Sequence, residues 1–457
     1  MPSITLTALG ADGEYSPLRA DPITSVSGEL IGELAAVPLV WVTRQLQKLG
    51  TGANRSVSER EELLRHAATL FISGEFAGMD YEAYRQQVSK VSGLPITVVR
   101  SATDVIATAM EQACQMAYAA MPAAACAQWA EAEGLDGAAV WTRKGTTLAV
   151  NAAGNHPGVH SLWLEAVALG YSVAVRPSRR EPLTAHRMIC ALRAAGFTGL
   201  ELQYIPGDQD IVGPLINYAD FGLVYGGPDV AAKFGSDPRV LVQGPGRSKV
   251  AVGGDITARV LDIIVSSVAS QGGTACINAT AIYCAQDHRH LAQLLADRLG
   301  SIEYLAPTDE NAVLPSTDRA TAEALQRALH KGAGNATAVL GADQLLRPGE
   351  QGHVTLAPTV YVCDSADAVQ AGIELPYPCV WVLPWPLRNP EPLTDSLVVT
   401  LIDAPHALVD TLIDDASVRN VYVGDVPTHW MRLGLPHDGY LGEFLMESKT
   451  VNIHFAS

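Results

Sequence analysis

Residues 271–281, QGGTACINATA, set a single cysteine, Cys276, in an apolar, glycine-flanked turn. Free cysteine is among the most buried residue types and most often packs as a small hydrophobe. Here Gly272, Gly273 and Thr274 precede it and a helix-compatible run follows. Backbone N–H groups at such a turn lower a thiol's pKa and favour the thiolate, the form that attacks a carbonyl. Carbonyl attack also needs donors aimed at the oxyanion that develops. The stretch GNHPGVHSLWLEA provides Asn155 in a turn between a strand and a helix, where its amide can point into a cleft at a sheet's carboxyl edge. An asparagine there equally serves as a helix cap. The adjoining His156 reads as a capping or packed histidine and stays outside the catalytic set.

The elements that must position these residues follow from periodicity. In SVSEREELLRHAATLF, Ser56 and Glu59 stand at capping-box spacing ahead of Leu63, Leu64, Ala67, Ala68 and Phe71, which share one helical face. Further Ala-rich helical stretches occupy roughly 80–130. From about 147, TLAVNAAG, YSVAVRP and ELQYIPG read as buried strands and alternate with the helices GVHSLWLEAVAL and TAHRMICALRAAG. That rhythm predicts a doubly wound parallel sheet. A second α/β unit follows after about 248, through KVAVGG, LDIIVSSVASQ, TAIYC and HLAQLLADRLG. The tail KTVNIHFA alternates as a strand and is expected to pair away from its neighbours in sequence, across a subunit boundary, because an unpaired edge invites association.

Composition excludes several classes. A chain of 457 residues is long enough for two or three domains with ample buried area. Its hydrophobic share of 48% and mean hydropathy of +0.14 are those of a globular enzyme. No segment offers the roughly 20 uninterrupted apolar residues of a membrane span, and MPSITLTALGADGEY lacks the basic and apolar regions of a secretory signal. A cytoplasmic location is the resulting expectation. The seven cysteines are odd in number and form no CxxC pair, so they read as reduced thiols, and no metal is expected. A formal charge of -17 disfavours nucleic acid as a partner.

Taken in order, the motifs resemble the aldehyde dehydrogenase superfamily over about residues 56–457. NHP at 155–157 resembles the family's Asn-Phe-Pro turn, and VAVRPSRREPLTA its strand ending in Lys-Pro-Ser-Glu. YGGPDVAAKF resembles the turn and helix beneath the cofactor pyrophosphate, and GTACINA the Gly-Gln-x-Cys turn. ELPYPCVWV resembles Glu-Ile-Phe-Gly-Pro-Val, and GYLGEFLMESKTVNI the closing oligomerisation segment. The resemblance implies an α/β fold with a Rossmann-type dinucleotide-binding domain, an α/β catalytic domain and a small β bridging element. It places these at residues 1–243 (bridging strands near 127–147), 244–436 and 437–457. It also implies that Cys276 is the nucleophile and that Asn155, with the Cys276 N–H, forms the oxyanion hole. For the cofactor it implies Glu374 on the nicotinamide ribose, Arg176 and Ser178 at the adenine ribose, and Gly226 and Gly227 beneath the pyrophosphate. Without it, Glu374 reads as a surface ion pair and the two glycines as a plain turn.

Three departures refine the expectation. Arg179, followed by Arg180, stands where the family has a ribose-binding glutamate, and guanidinium groups pair with a 2′-phosphate. NADP(H) is therefore favoured over NAD(H). Gln243, in LVQGPGRSKV, replaces the glutamate that activates the hydrolytic water, and a glutamine cannot take a proton at neutral pH. Third, Gly154 before the asparagine is expected to leave room for a thioester near the thiol, and Thr274 replaces the family's glutamine. Together these point to the acylating, acyl-CoA reductase branch: NADPH-dependent reduction of an acyl thioester to an aldehyde through acyl-Cys276. Coenzyme A or a carrier protein would be the thiol, with Arg143 and Lys144, or Arg85 and Lys90, as a basic landing strip for an acidic carrier. The alternatives are oxidation of an aldehyde to a free acid or acyl-CoA and, from another class, a non-catalytic structural relative. A homodimer or higher homo-oligomer is expected.

Overall fold

The computed structural model describes residues 4–52, 54–133, 135–349 and 352–453. The first large sheet has the order Val240–Gln243, Phe221–Tyr225, Thr147–Asn151, Ser172–Arg176, Leu202–Tyr204, Ala8–Gly10, Gly13–Tyr15. Its first five strands are parallel and the last two antiparallel. The chain leaves Thr147–Asn151 toward one side of the sheet and returns at Phe221–Tyr225 on the other. A ligand crevice forms at the carboxyl ends where the order reverses in this way. The register sets Asn151 opposite Arg176 and Tyr225 opposite Gln243, so four strand ends share one edge.

The second large sheet runs Thr337–Leu340, Thr359–Val362, Cys379–Pro384, Ala279–Cys284, Ser248–Val252, Ser396–Ile402, Val418–Val423. All its pairings are parallel except that of the first two strands. Residues 244–247 link the carboxyl edge of the first sheet directly to the amino edge of the second, where Ser248 pairs with Ala279. The two edges therefore face each other across this short turn.

The helix Val57–Ser73 begins at the expected capping box: Ser56 Oγ accepts from the Glu59 N–H and the Glu59 carboxylate from the Ser56 N–H. Its Leu64, Ala67, Ala68 and Phe71 are buried in the core that also holds Ile96–Tyr118 and Leu183–Ala195. Full burial of Leu64 or Phe71 stabilises by about 1.5–3 kcal/mol each. The tail pairs away from its neighbours in sequence, as expected: Met446–Val451 runs antiparallel to Ala138–Arg143 of the same chain, and residues 454–457 lie outside the described residues. The small sheet of Ile4–Leu6, Leu30–Ala35 and Ala20–Thr24 has no counterpart in the sequence reading. Among the described residues no helix is long and apolar enough to cross a membrane.

Candidate active site

Cys276 lies in the gap between the two facing edges. The turn leading to it carries three successive left-handed residues, Gln271, Gly272 and Gly273. A Cβ on Gly273 would run into the backbone of Tyr377 and Pro378, so that position requires glycine. Asn278 holds the turn from within: its amide donates to the carbonyls of Ser267 (3.1 Å) and Ser270 (2.7 Å), and its oxygen accepts from the Ala275 N–H (2.9 Å). From the opposite edge Gly246 packs on the Cys276 backbone so closely that a Cβ there would overlap the Cys276 carbonyl. Ser248 Oγ donates to that carbonyl at 2.9 Å.

Asn155 reaches the same turn from the first sheet. Its Nδ2 donates to the Thr274 carbonyl at 2.8 Å. One N–H is thereby occupied and the amide plane fixed, leaving the second N–H for an oxyanion beside Cys276. His156 is a cap, as the sequence indicates: Nδ1 accepts from the Gly158 N–H (3.0 Å), so the proton sits on Nε2, which faces Gln271 Oε1 at 3.0 Å. Burial lowers its pKa and keeps it neutral.

The sequence reading missed His437. Its Nε2 stands 3.5 Å from Cys276 Sγ. Asn420 of the Val418–Val423 strand donates to the His437 carbonyl (2.6 Å) and to that of Leu397 (2.9 Å), and Asp438 pairs with Arg419 at 3.0 Å. Burial lowers the His437 pKa, only partly opposed by Asp438. The Cys276 thiol is pushed up to about 12 by burial, then by the carboxylates of Glu374 and Asp438. The N–H groups of Cys276 and Ile277 act in the other direction, as the sequence suggests, but burial outweighs them. The resting pair is a thiol beside a neutral imidazole, not the pre-formed thiolate expected.

Glu374 is not the surface ion pair of the plain reading. Its oxygens accept from the N–H groups of Arg247 (2.7 Å) and Gly246 (3.1 Å), so it clamps the turn that abuts Cys276. Burial raises its pKa. It is partly buried rather than exposed in a surface ion pair, and it sets a carboxylate near the thiol. Gln243 is buried at the end of its strand, and its carbonyl accepts from Gly226 N–H at 3.1 Å.

At the reversal point, Gly227 caps the helix Pro228–Phe234 without a side-chain cap, and a Cβ there would meet nothing. A pyrophosphate can approach that open backbone, so the residues present fit a dinucleotide. Gly226 is glycine for another reason: a Cβ there would overlap Val230. Arg176 is buried, with Nη1 on Asn151 Oδ1 (3.0 Å) and Nε on the Asp208 carbonyl (3.2 Å). The two following arginines diverge. Arg179 pairs with Asp21 and Asp208, whereas Arg180 lines a narrow cleft with Asn155 and Thr274. Ser178 Oγ accepts from the Arg180 N–H at 3.2 Å. A Cβ on Gly154 would collide with Ser178 Oγ, so that glycine serves close packing and does not open room for a thioester. The basic landing strips are engaged internally. Arg143 donates to Gly170, Lys144 to Glu443 and Phe444, Arg85 pairs with Asp104 and Lys90 with Glu29. Among the described residues no cluster of three or more His, Cys, Asp or Glu could hold a metal ion.

Two facing α/β sheets with a cysteine and an asparagine between their edges define a dinucleotide-dependent dehydrogenase fold. The sequence pattern of the aldehyde dehydrogenase family matches residues 46–380, and the chain belongs to that family. Among solved structures it is similar to an indole-3-acetaldehyde dehydrogenase of P. syringae in complex with NAD+ and IAA (17% identity, 99% of this chain and 97% of that one, TM-score 0.81). It is also similar to the 1-pyrroline-5-carboxylate dehydrogenase of Thermus thermophilus (16%, 99% and 93%, TM-score 0.82). A third is an aldehyde dehydrogenase of Physcomitrella patens in complex with the reaction product succinate (13%, 99% and 99%, TM-score 0.81). No curated protein sequence matches it.

Proposed function

We propose that the protein oxidises an aldehyde to an acyl group carried on Cys276 and then releases it to a thiol or to water. The observation that carries this reading is the Asn155 amide locked onto the Thr274 carbonyl at 2.8 Å, one residue from the alanine that precedes Cys276. Attack by Sγ on an aldehyde carbonyl places negative charge on oxygen, and the free Asn155 N–H with the Cys276 N–H stabilises it. A bound nicotinamide dinucleotide supplies the hydride acceptor. Gly227 would lie beneath its pyrophosphate, and Arg176 and Ser178 beside its adenine ribose. Asp21 and Asp208 surround Arg179, repel a 2′-phosphate and offer acceptors to ribose hydroxyls, so NAD(H) fits this reading better than the NADP(H) that Arg179 alone suggests. The structural relatives named above are dehydrogenases, two of them named for aldehydes and one in complex with NAD+, in keeping with oxidation.

One observation favours a second reading, reduction of an acyl thioester: Gln243 stands in place of a water-activating carboxylate, which suits exchange with coenzyme A or a carrier thiol. Assays of aldehyde with NAD+ or NADP+, with and without coenzyme A, separate the two from acyl-CoA with NADPH. NADH formation from an aldehyde and an acyl adduct on Cys276 by mass spectrometry are expected. Consumption of NADPH with acyl-CoA, and no oxidation of any aldehyde in a broad panel, would replace the first reading with the second. For assembly, the strand Met446–Val451 is an edge of its sheet, and we take it as the contact of a homo-oligomer, checked by light scattering.

A further inference from the structure

Cys276 meets a side chain 161 residues further along the chain. The segment bearing His437 is anchored on both sides, by Asn420 on the His437 carbonyl and by Arg419 on Asp438. The main chain thus holds the imidazole against the sulfur. We propose that His437 is the acid–base partner of Cys276: Nε2 takes the proton from Sγ–H as the sulfur attacks, and gives Sγ a proton when the acyl group departs. This rests on the reading that Cys276 adds to a carbonyl.

Three features give the histidine this role. At a thiol pKa of about 12, roughly one molecule in 10⁵ carries a thiolate at pH 7, so attack needs a base in contact. At the position of the family's carboxylate base stands Gln243, which accepts no proton. The charged and titratable groups facing the pair are Glu374 and Asp438 beside the thiol, with Arg419 neutralising Asp438, and Tyr225, whose hydroxyl donates to the Val159 carbonyl. Glu374 is tied to the N–H groups of Gly246 and Arg247, so His437 is the base in hydrogen-bond contact with the sulfur.

The steps balance. The Sγ–C bond forms, the carbonyl electron pair moves to oxygen at Asn155, and the thiol proton goes to Nε2. Once the carbon has given up its hydride the carbonyl re-forms, and His437 releases its proton to solvent. An acceptor thiol or water then gives a proton to Nε2 and attacks the acyl carbon. The Sγ–C bond breaks, and Sγ recovers the proton from His437.

The test is the pH profile of iodoacetamide alkylation at Cys276, read by peptide mass spectrometry from pH 6 to 9.5, beside steady-state kinetics. In the unmodified enzyme the rate is expected to rise through the histidine's titration below pH 6.5 and stay flat to about pH 8.5. In His437→Gln, which keeps an acceptor but takes no proton, it should climb about tenfold per pH unit, and kcat should fall about 10²–10³-fold with KM within about threefold. Cofactor binding by tryptophan fluorescence reports folding of the variant. A tenfold climb per unit in the unmodified enzyme, or superimposable profiles for the two proteins, overturns the proposal. The first of these needs no variant and decides the matter even where His437→Gln misfolds. A plateau that the variant loses, with no aldehyde oxidised, keeps the pair and removes the functional reading. Oxidation without a plateau removes the pair alone.

Discussion

Replacing Asn155 by alanine separates catalysis from scaffolding at this site. The side chain does two things: one Nδ2–H holds the Thr274 carbonyl at 2.8 Å, and the other is free for the developing oxyanion. Losing one of two oxyanion donors costs about 10²–10³ in kcat, or about 3–4 kcal/mol at 1.36 kcal/mol per decade. Losing the Thr274 bond costs about 1 kcal/mol of stability, small against the catalytic term. Alkylation of a thiol by iodoacetamide develops no oxyanion, so it isolates the second effect. Asn155→Ala should lower kcat for aldehyde oxidation by at least about 10²-fold while alkylation of Cys276 at pH 8 stays within about threefold of the parent. If kcat and alkylation fall together, Asn155 acts by holding the cysteine turn and the oxyanion argument is wrong. A kcat within tenfold of the parent refutes it as well.

Three further outcomes follow from the geometry. Gln243→Glu restores a proton acceptor, so free-acid release without added thiol should rise about 10²-fold by chromatography, and unchanged release would show that water activation lies elsewhere. Asp21→Asn removes one of the two carboxylates on Arg179. Since an exposed pair is worth under about 1 kcal/mol, the ratio of kcat/KM with NADP+ over NAD+ should rise by up to about fivefold, and a fall would contradict the charge argument. Glu165→Gln addresses a carboxyl that burial raises to about 7 from an ordinary 4.5. Because the folded-state value is the higher one, the cost to stability is absent below pH 4.5, grows between 4.5 and 7, and is constant above, at about 3 kcal/mol. Urea unfolding should show the variant more stable at pH 8 and the gain much smaller at pH 5.5; an equal gain at both values would assign it to packing.

What the sequence reveals is what local chemistry dictates. Apolar runs alternating with helices from 147 onward specify the first sheet, and Ser56 with Glu59 specifies a helix start, because period and capping act within a few residues. The small N-terminal strands are missed because five residues such as Ala20–Thr24, three of them exposed, carry no clean alternation. At the site, Cys276 and Asn155 are legible because their turns have recognisable neighbours. His437 is not: LGLPHDGY reads as a polar turn, and its contact with the sulfur exists only once Asn420 and Arg419 have drawn it in. The divergence of Arg179 and Arg180 is hidden for the same reason, since Asp21 and Asp208 come from distant strands and loops.

Two of the glycines show why resemblance transfers position more safely than reason. Gly154 suggests space for a bulky substrate, yet the volume a side chain would fill is taken by Ser178 Oγ, so alanine there would strain the loop that carries Asn155 rather than narrow the entrance to the thiol. Gly226 suggests a cradle for phosphate, yet its missing Cβ makes way for Val230, and only Gly227 opens onto free space. The cofactor cradle is therefore a single-glycine feature backed by a packing glycine. An alanine at position 227 would act on cofactor affinity, whereas an alanine at position 226 would first displace the helix Pro228–Phe234.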